Sequence, residues 1–284
     1  MIETLLITWR ESLEAALIVG ILLTYLGRSG ERRGVPYVWG GAGAAVLAAL
    51  VCAAASNGLV AALDPDVQEL AQAGILFLAV AVLTWMVVWM HRNARALRGE
   101  LHARADRALA AGRLLGLATI AFAAVFREGV ETVLFLWGVV LQGAHDGVLA
   151  LLGAGLAGTA LAVATAWVFF RGFRFLKLQT FFRVTGVLLL LVAGGLLTAA
   201  VNKLIALDYL PALVSQVWNT SWLVPDDGIV GGVLRAFVGY RARPSLLEVL
   251  VFFAYVPTMF WLLHRAGRSV GPAGRDPTLK ARAA

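Results

Sequence analysis

A single cysteine, four histidines and four methionines are all the soft or borderline metal donors that this 284-residue chain holds, and only 14% of its residues are charged. One cysteine excludes disulfides within the chain and cysteine-rich metal centres. Cys52 lies in an apolar, alanine-rich run and is expected to be core filler. His91, His102, His145 and His264 fall at the ends of apolar runs or between them, which argues against the axial ligation inside a bundle that a haem protein needs. The shortage of charge excludes a soluble domain. With 60% hydrophobic residues and a mean hydropathy of +0.82, several runs reach the roughly 20 apolar residues that cross a bilayer.

The apolar runs predict an all-α, polytopic membrane protein with seven transmembrane helices. They lie at about Ile2 to Gly27, Pro36 to Leu63, Val67 to Met90, Leu114 to Leu141, Val148 to Phe170, Thr185 to Ile205 and Leu246 to Leu263. Reading the first run as a signal peptide fails on charge, because Met1 to Glu14 holds three acids and one base, and no small-residue cleavage pattern follows.

A net charge of +7 would suit nucleic acid, but the basic residues alternate by loop. Most of them follow the first, third, fifth and seventh runs: Arg28, Arg32 and Arg33; Arg92 to Arg113; Arg171 to Arg183; and Arg265 to Arg282. The opposite loops collect Asp64, Asp66, Glu69, Asp146, Asp208, Asp226 and Asp227. The positive-inside rule then places the N-terminus outside and the C-terminus in the cytoplasm. The basic excess is topology, and no nucleic-acid partner is expected.

Inside two of the runs stand copies of one charged motif, Arg10-Glu11-Ser12-Leu13-Glu14 and Arg127-Glu128-Gly129-Val130-Glu131, both R-E-x-x-E. A charge at the centre of a bilayer helix costs about 2.5 to 3.5 kcal/mol, so six cost about 15 to 20 kcal/mol unless something compensates them. Spacing i, i+3 puts both glutamates of a motif on one helix face beside a fixed cation. An ion-pair device with a purely structural role would balance its charges, whereas here four carboxylates meet two guanidinium groups. The excess suits a bound cation. Carboxylate oxygens are hard donors that suit Fe(III), Mg, Ca or Mn.

The first and fourth predicted helices carry the motif and run in opposite directions, which predicts an inverted 3+3 repeat plus a final helix, with a site near the midplane. Repeat one covers about residues 1–91, repeat two about 113–206, an external loop about 206–245, the last helix about 246–263, and residues 265–284 form a basic tail. Small-residue clusters at Gly40 to Ala45 and Gly153 to Gly158 open the second and fifth predicted helices and would allow close backbone approach. Glu11 lies about 12 Å from the outer end of its helix and Glu128 about 21 Å from the inner end of its own, depths compatible with one shared site in a core of about 30 Å.

Paired R-E-x-x-E motifs in the first and fourth of seven helices resemble the oxidase-dependent iron permease family, to which fungal high-affinity ferric permeases and bacterial EfeU-like proteins belong. Trp218-Asn219-Thr220-Ser221-Trp222, Gly239-Tyr240 and Pro244-Ser245 are similar to the last external loop of that family and the start of its final helix. The resemblance covers the chain to about Leu263. It implies that Glu11, Glu14, Glu128 and Glu131 handle iron, that Arg10 and Arg127 are required, and that an external or periplasmic oxidase and iron-delivery proteins supply iron as Fe(III).

Iron is then a transported substrate, no permanently bound cofactor is expected, and the protein is a permease of the bacterial cytoplasmic membrane rather than an enzyme. Its oligomeric state is not readable. Asp64, Asp66, Glu69, His145, Asp146, Asp226 and Asp227 would concentrate cations at an entrance, and Glu248 is a further carboxylate for the path. Trp218 and Trp222 read as interfacial anchors. A proton-relay or redox subunit of a membrane complex, a metal-sensing or assembly protein, and a permease for another hard cation remain open alternatives.

Overall fold

The computed structural model describes residues 2–93, 97–110, 114–141, 148–171, 178–225, 230–231, 234–235 and 239–268. Among these residues the regular structure is helical, with no strand. The helices are α1 (Ile2–Ser29), α2 (Val35–Ala61), α3 (Pro65–Asn93), α4 (Leu97–Ala110), α5 (Leu114–Leu141), α6 (Val148–Phe170), α7 (Leu178–Ala206) and α8 (Leu246–Arg268), with one 3-10 turn at Arg32–Gly34. In hydrocarbon only a helix satisfies every backbone N–H and C=O within one segment, so long apolar runs fold this way.

Among the described residues, five helices are long and apolar enough to cross a membrane, over Arg32–Ala61, Pro65–Met90, Leu149–Phe170, Val184–Ala206 and Leu246–Arg265. The motif helices α1 and α5 have 28 residues each, roughly 42 Å at 1.5 Å per residue. Outward faces of α2, α6 and α8 are apolar: Leu47, Leu50 and Val51, then Leu149, Leu156 and Val163, then Leu250, Phe253 and Trp261 are all exposed. A soluble monomer rarely shows such patches, whereas a lipid-facing surface requires them.

The sequence expectations differ from the structure in three places. Helix α7 begins at Leu178 rather than near Thr185, running on through Arg183. The basic stretch after α3 contains a further helix, α4, whose Ala105 is fully buried against α1 and α5. Cys52, expected as core filler, is only half-buried on α2.

Packing exchanges the partners of the two motif helices. The broadest helix pairs are α2 against α5 and α6 against α1, followed by α3 against α7, while α1 and α5 also touch directly. Glycines make the first two crossings possible. A Cβ on Gly41 would come within 2.2 Å of the Ala118 carbonyl oxygen of α5, and one on Gly158 within 2.6 Å of the Leu5 carbonyl oxygen of α1. Burial repeats in step with the motifs. The sequence separation of Arg10 and Arg127 recurs without a gap in the buried pairs Gly41/Gly158, Ala45/Ala162, Ala49/Ala166, Leu76/Ala193, Ala79/Leu196 and Leu83/Ala200.

After α7 the chain folds back as an ordered segment. Val217 N–H donates to the Pro244 carbonyl at 3.0 Å, Thr220 N–H to the Ala242 carbonyl at 2.9 Å, and Tyr240 Oη to the Val224 carbonyl at 2.9 Å. Gly239, at φ +61°, allows the return past Thr198 and Phe252. Tyr255 of α8 meets Thr84 of α3 at 2.6 Å between hydroxyl oxygens, tying the last helix to the bundle.

Candidate cation site

At i, i+3 on α1 and on α5, Glu11 with Glu14 and Glu128 with Glu131 share a helix face, and direct contact of the two helices turns these faces toward each other. All four glutamates are buried. One carboxylate oxygen from each of Glu11, Glu128 and Glu131 lies within 4.8 Å of the others. Glu14 stands outside this trio: its Oε1 lies 2.6 Å from Arg10 Nη2 and, like one oxygen of each trio member, has no hydrogen-bond partner among the described residues.

Each arginine pairs inside its own helix. Arg10, 2% exposed, donates from Nη1 to Glu11 Oε1 at 2.6 Å, and its Nη2 lies 2.6 Å from Glu14 Oε1. Its Nη1 also reaches Met86 Sδ on α3 at 3.3 Å. Arg127 donates through Nε to Glu131 Oε1 at 2.8 Å and stands 3.9 Å from Glu128 Oε1, with its side chain 37% exposed. The Arg127 guanidinium lies over two tryptophan rings of α3, 5.3 Å from the centroid of Trp89 and 6.0 Å from that of Trp85.

Charge remains uncompensated. Glu11 Oε2, Glu128 Oε2 and Glu131 Oε2 are buried and have no hydrogen-bond partner among the described residues. Burying a carboxylate oxygen without a partner is costly, and three buried carboxylates that each keep such an oxygen and bring one oxygen within 4.8 Å of the others are what a hard cation would satisfy. Apolar packing closes the cluster on both sides. Toward the end of α1 lie Leu22, Leu26, Val38, Leu117 and Val125; toward its start lie Ile7, Leu76, Phe135 and Val139. A shallow cavity between α1 and α7, lined by Leu6, Trp9, Arg10, Thr185, Leu188, Leu189 and Val192, opens behind Arg10 and away from the glutamates.

Of the other sequence candidates, those among the described residues do not join the cluster. Asp64, Asp66 and Glu69 are exposed where α2 turns into α3, and Glu69 Oε2 lies 3.5 Å from Lys203 Nζ. His145, Asp146, Asp226 and Asp227 lie outside the described residues. Glu248 is engaged at the start of α8: Ser245 donates to its Oε2 from N at 2.7 Å and from Oγ at 2.9 Å, and Arg241 Nη1 donates to its Oε1 at 3.1 Å. Glu248 N–H returns a bond to Ser245 Oγ at 3.3 Å, a reciprocal capping box. That arrangement gives Glu248 a helix-capping task at the start of α8. Met86, Trp85 and Trp89 surround the arginines without having been singled out by sequence, since nothing local to α3 marks which residues will face α1 and α5.

Residues 1–264 match the model of the Iron permease FTR1 family. The chain is 34% identical over 275 residues to the ferrous iron permease EfeU of Escherichia coli O157:H7, covering 94% of this chain and 98% of that one. It is 32% identical over 261 residues to the ferrous iron permease EfeU of Yersinia pestis, covering 90% of each. An uncharacterized protein of Archaeoglobus fulgidus is 32% identical over 274 residues, covering 94% of this chain and 95% of its own. No solved structure matches.

Proposed function

Since this chain belongs to the Iron permease FTR1 family, we propose that it takes up iron through the carboxylates of Glu11, Glu128 and Glu131, with Glu14 held in reserve by Arg10. The observation that carries the reading is the trio of buried oxygens within 4.8 Å, each glutamate keeping one oxygen without a partner. Iron entering the trio replaces its water ligands by carboxylate oxygens, and Arg10 and Arg127 lower the mutual repulsion of the glutamates while the site awaits it. Guanidinium has no lone pair, so neither arginine ligates the metal.

The architecture we assign is seven spans, with α1–α3 and α5–α7 as inverted repeats and α8 appended. The exchanged packing of α2 on α5 and α6 on α1, and burial that repeats at the separation of the two motifs, support it. The alternation of basic and acidic loops places the N-terminus outside and α4 on the cytoplasmic face. With apolar packing on both sides of the glutamates, release requires α1 and α5 to part from each other at the inner cluster around Leu22 and Leu117. The EfeU relatives are bacterial, which supports a bacterial inner membrane.

The same relatives are named for ferrous iron, while hard carboxylates suit Fe(III) supplied by an external oxidase and a delivery protein. Radioactive iron flux into proteoliposomes, with and without an added oxidant, decides between them. Saturable flux lost in Glu11→Gln is the expected result. Proton conduction that is indifferent to iron would replace this reading with a proton relay.

A further inference from the structure

Arg127 stands in the middle of a long apolar helix with its side chain 37% exposed beside α3, the more open of the two arginine sides of the site. Any cation reaching Glu11, Glu128 and Glu131 from that side meets a like charge first. Arg127 is also the looser of the two arginines. Its ion pairs among the described residues both run through Nε, whereas Arg10 is held by both Nη groups on two glutamates and a methionine and is 2% exposed. Beside Arg127 stand Trp85 and Trp89, one turn apart on α3, with centroids 6.3 Å from each other and their planes 27° apart. The guanidinium already lies over both rings.

We propose that Trp85 and Trp89 are positioning residues for iron entry, a platform that keeps hold of the Arg127 guanidinium when it lets go of Glu131, so that the glutamate trio is uncovered while the arginine charge stays compensated by the ring faces. The inference rests on the iron-site reading above. A cation leaving its carboxylates in a low-dielectric setting needs another partner, and indole is the strongest aromatic face for that purpose. Without the platform, Arg127 stays over Glu131 and competes with iron. The defect of a platform variant is then one of apparent affinity, and it exists only while Arg127 is present.

The test is iron flux into proteoliposomes across a range of iron concentrations for wild type, Trp89→Leu and Trp89→Phe. We expect Trp89→Leu to raise the half-saturating iron concentration by about tenfold with maximal flux unchanged, and Trp89→Phe to recover most of that shift. Equilibrium binding of ferrous iron to detergent-purified protein then compares Trp89→Leu in the wild-type and Arg127→Gln backgrounds, which does not depend on the flux of the double variant. The tryptophan change should weaken binding in the first background and leave it unaltered in the second. An equal shift in both backgrounds, a fall in maximal flux without a shift in half-saturation, or a Phe variant as impaired as the Leu variant would overturn the proposal. Wild type without saturable iron flux would remove the site reading itself, an outcome that needs no variant to recognise.

Discussion

The two R-E-x-x-E copies share a sequence and differ in everything around it. On α1 the arginine is sealed: Arg10 grips Glu11 and Glu14 and touches Met86. On α5 the arginine is half-open, hung from Glu131 through one nitrogen and laid on two tryptophans. The third motif position differs in the same sense. Ser12 lies 3.4 Å from the Thr159 hydroxyl of α6, while Gly129 lets Ala49 of α2 come so near that an added Cβ would sit 2.7 Å away. The first copy lends one carboxylate to the trio and the second lends two. A repeated motif has thus become one fixed counter-ion and one movable one, and that asymmetry gives an otherwise two-sided site a direction of approach.

The arginines should break the symmetry most visibly. Removing Arg10 leaves two buried carboxylates without their cation, a loss of about 3 to 5 kcal/mol, whereas Arg127 is 37% exposed and held through one nitrogen, so its loss should cost less. Thermal unfolding of detergent-purified Arg10→Gln and Arg127→Gln should show that order. Equal losses would mean that the two environments are energetically alike.

The second contrast concerns the glutamates. Glu131→Gln removes a member of the trio and should reduce iron flux to background, while Glu14→Gln removes a partner of Arg10 and should leave measurable flux with weaker apparent affinity. Flux indistinguishable between these variants at saturating iron would place Glu14 on the same footing as the other three.

The smallest effect probes the helix crossings that carry the two copies. Gly41→Val and Gly158→Val each drive a side chain into a backbone carbonyl and should destabilise by about 1 to 3 kcal/mol. Gly58→Ala, with nothing within 4 Å, serves as the neutral control. Loss at one crossing and not the other would sharpen the asymmetry into the scaffold itself.

Much of the scaffold was legible because hydrophobic runs in membrane helices stop where charge or glycine stops them. Helices α5 and α6 begin and end at the expected residues, Leu114–Leu141 and Val148–Phe170. Helix α7 starts earlier than expected because a basic residue such as Arg183 looks like a loop but does not interrupt backbone hydrogen bonding. Helix α4 was hidden by its arginines, although Leu101, Ala105, Ala108 and Leu109 already carry a helical apolar period.

In the site, spacing alone identified Glu11, Glu14, Glu128 and Glu131 as facing pairs. It could not tell which arginine would be enclosed and which left open, because that depends on how α3 delivers Met86 to Arg10 and its tryptophans to Arg127 from outside the motif. The role of Glu248 was legible after all: Ser245 and Glu248 stand at capping-box spacing just before an apolar run.

Pairing within each helix also bears on how the protein is made. Arg10 finds Glu11 and Glu14, and Arg127 finds Glu131, without help from the other helix. During synthesis α1 must enter the bilayer long before α5 exists, at a stage when no carboxylate or guanidinium from α5 can answer its own. An arginine carried in the same turn reduces three separate ions to a compact group with one net negative charge, so each motif helix arrives in the membrane already provided for. The nascent chain can therefore wait for its second half with one net charge to shelter in place of three separate ones.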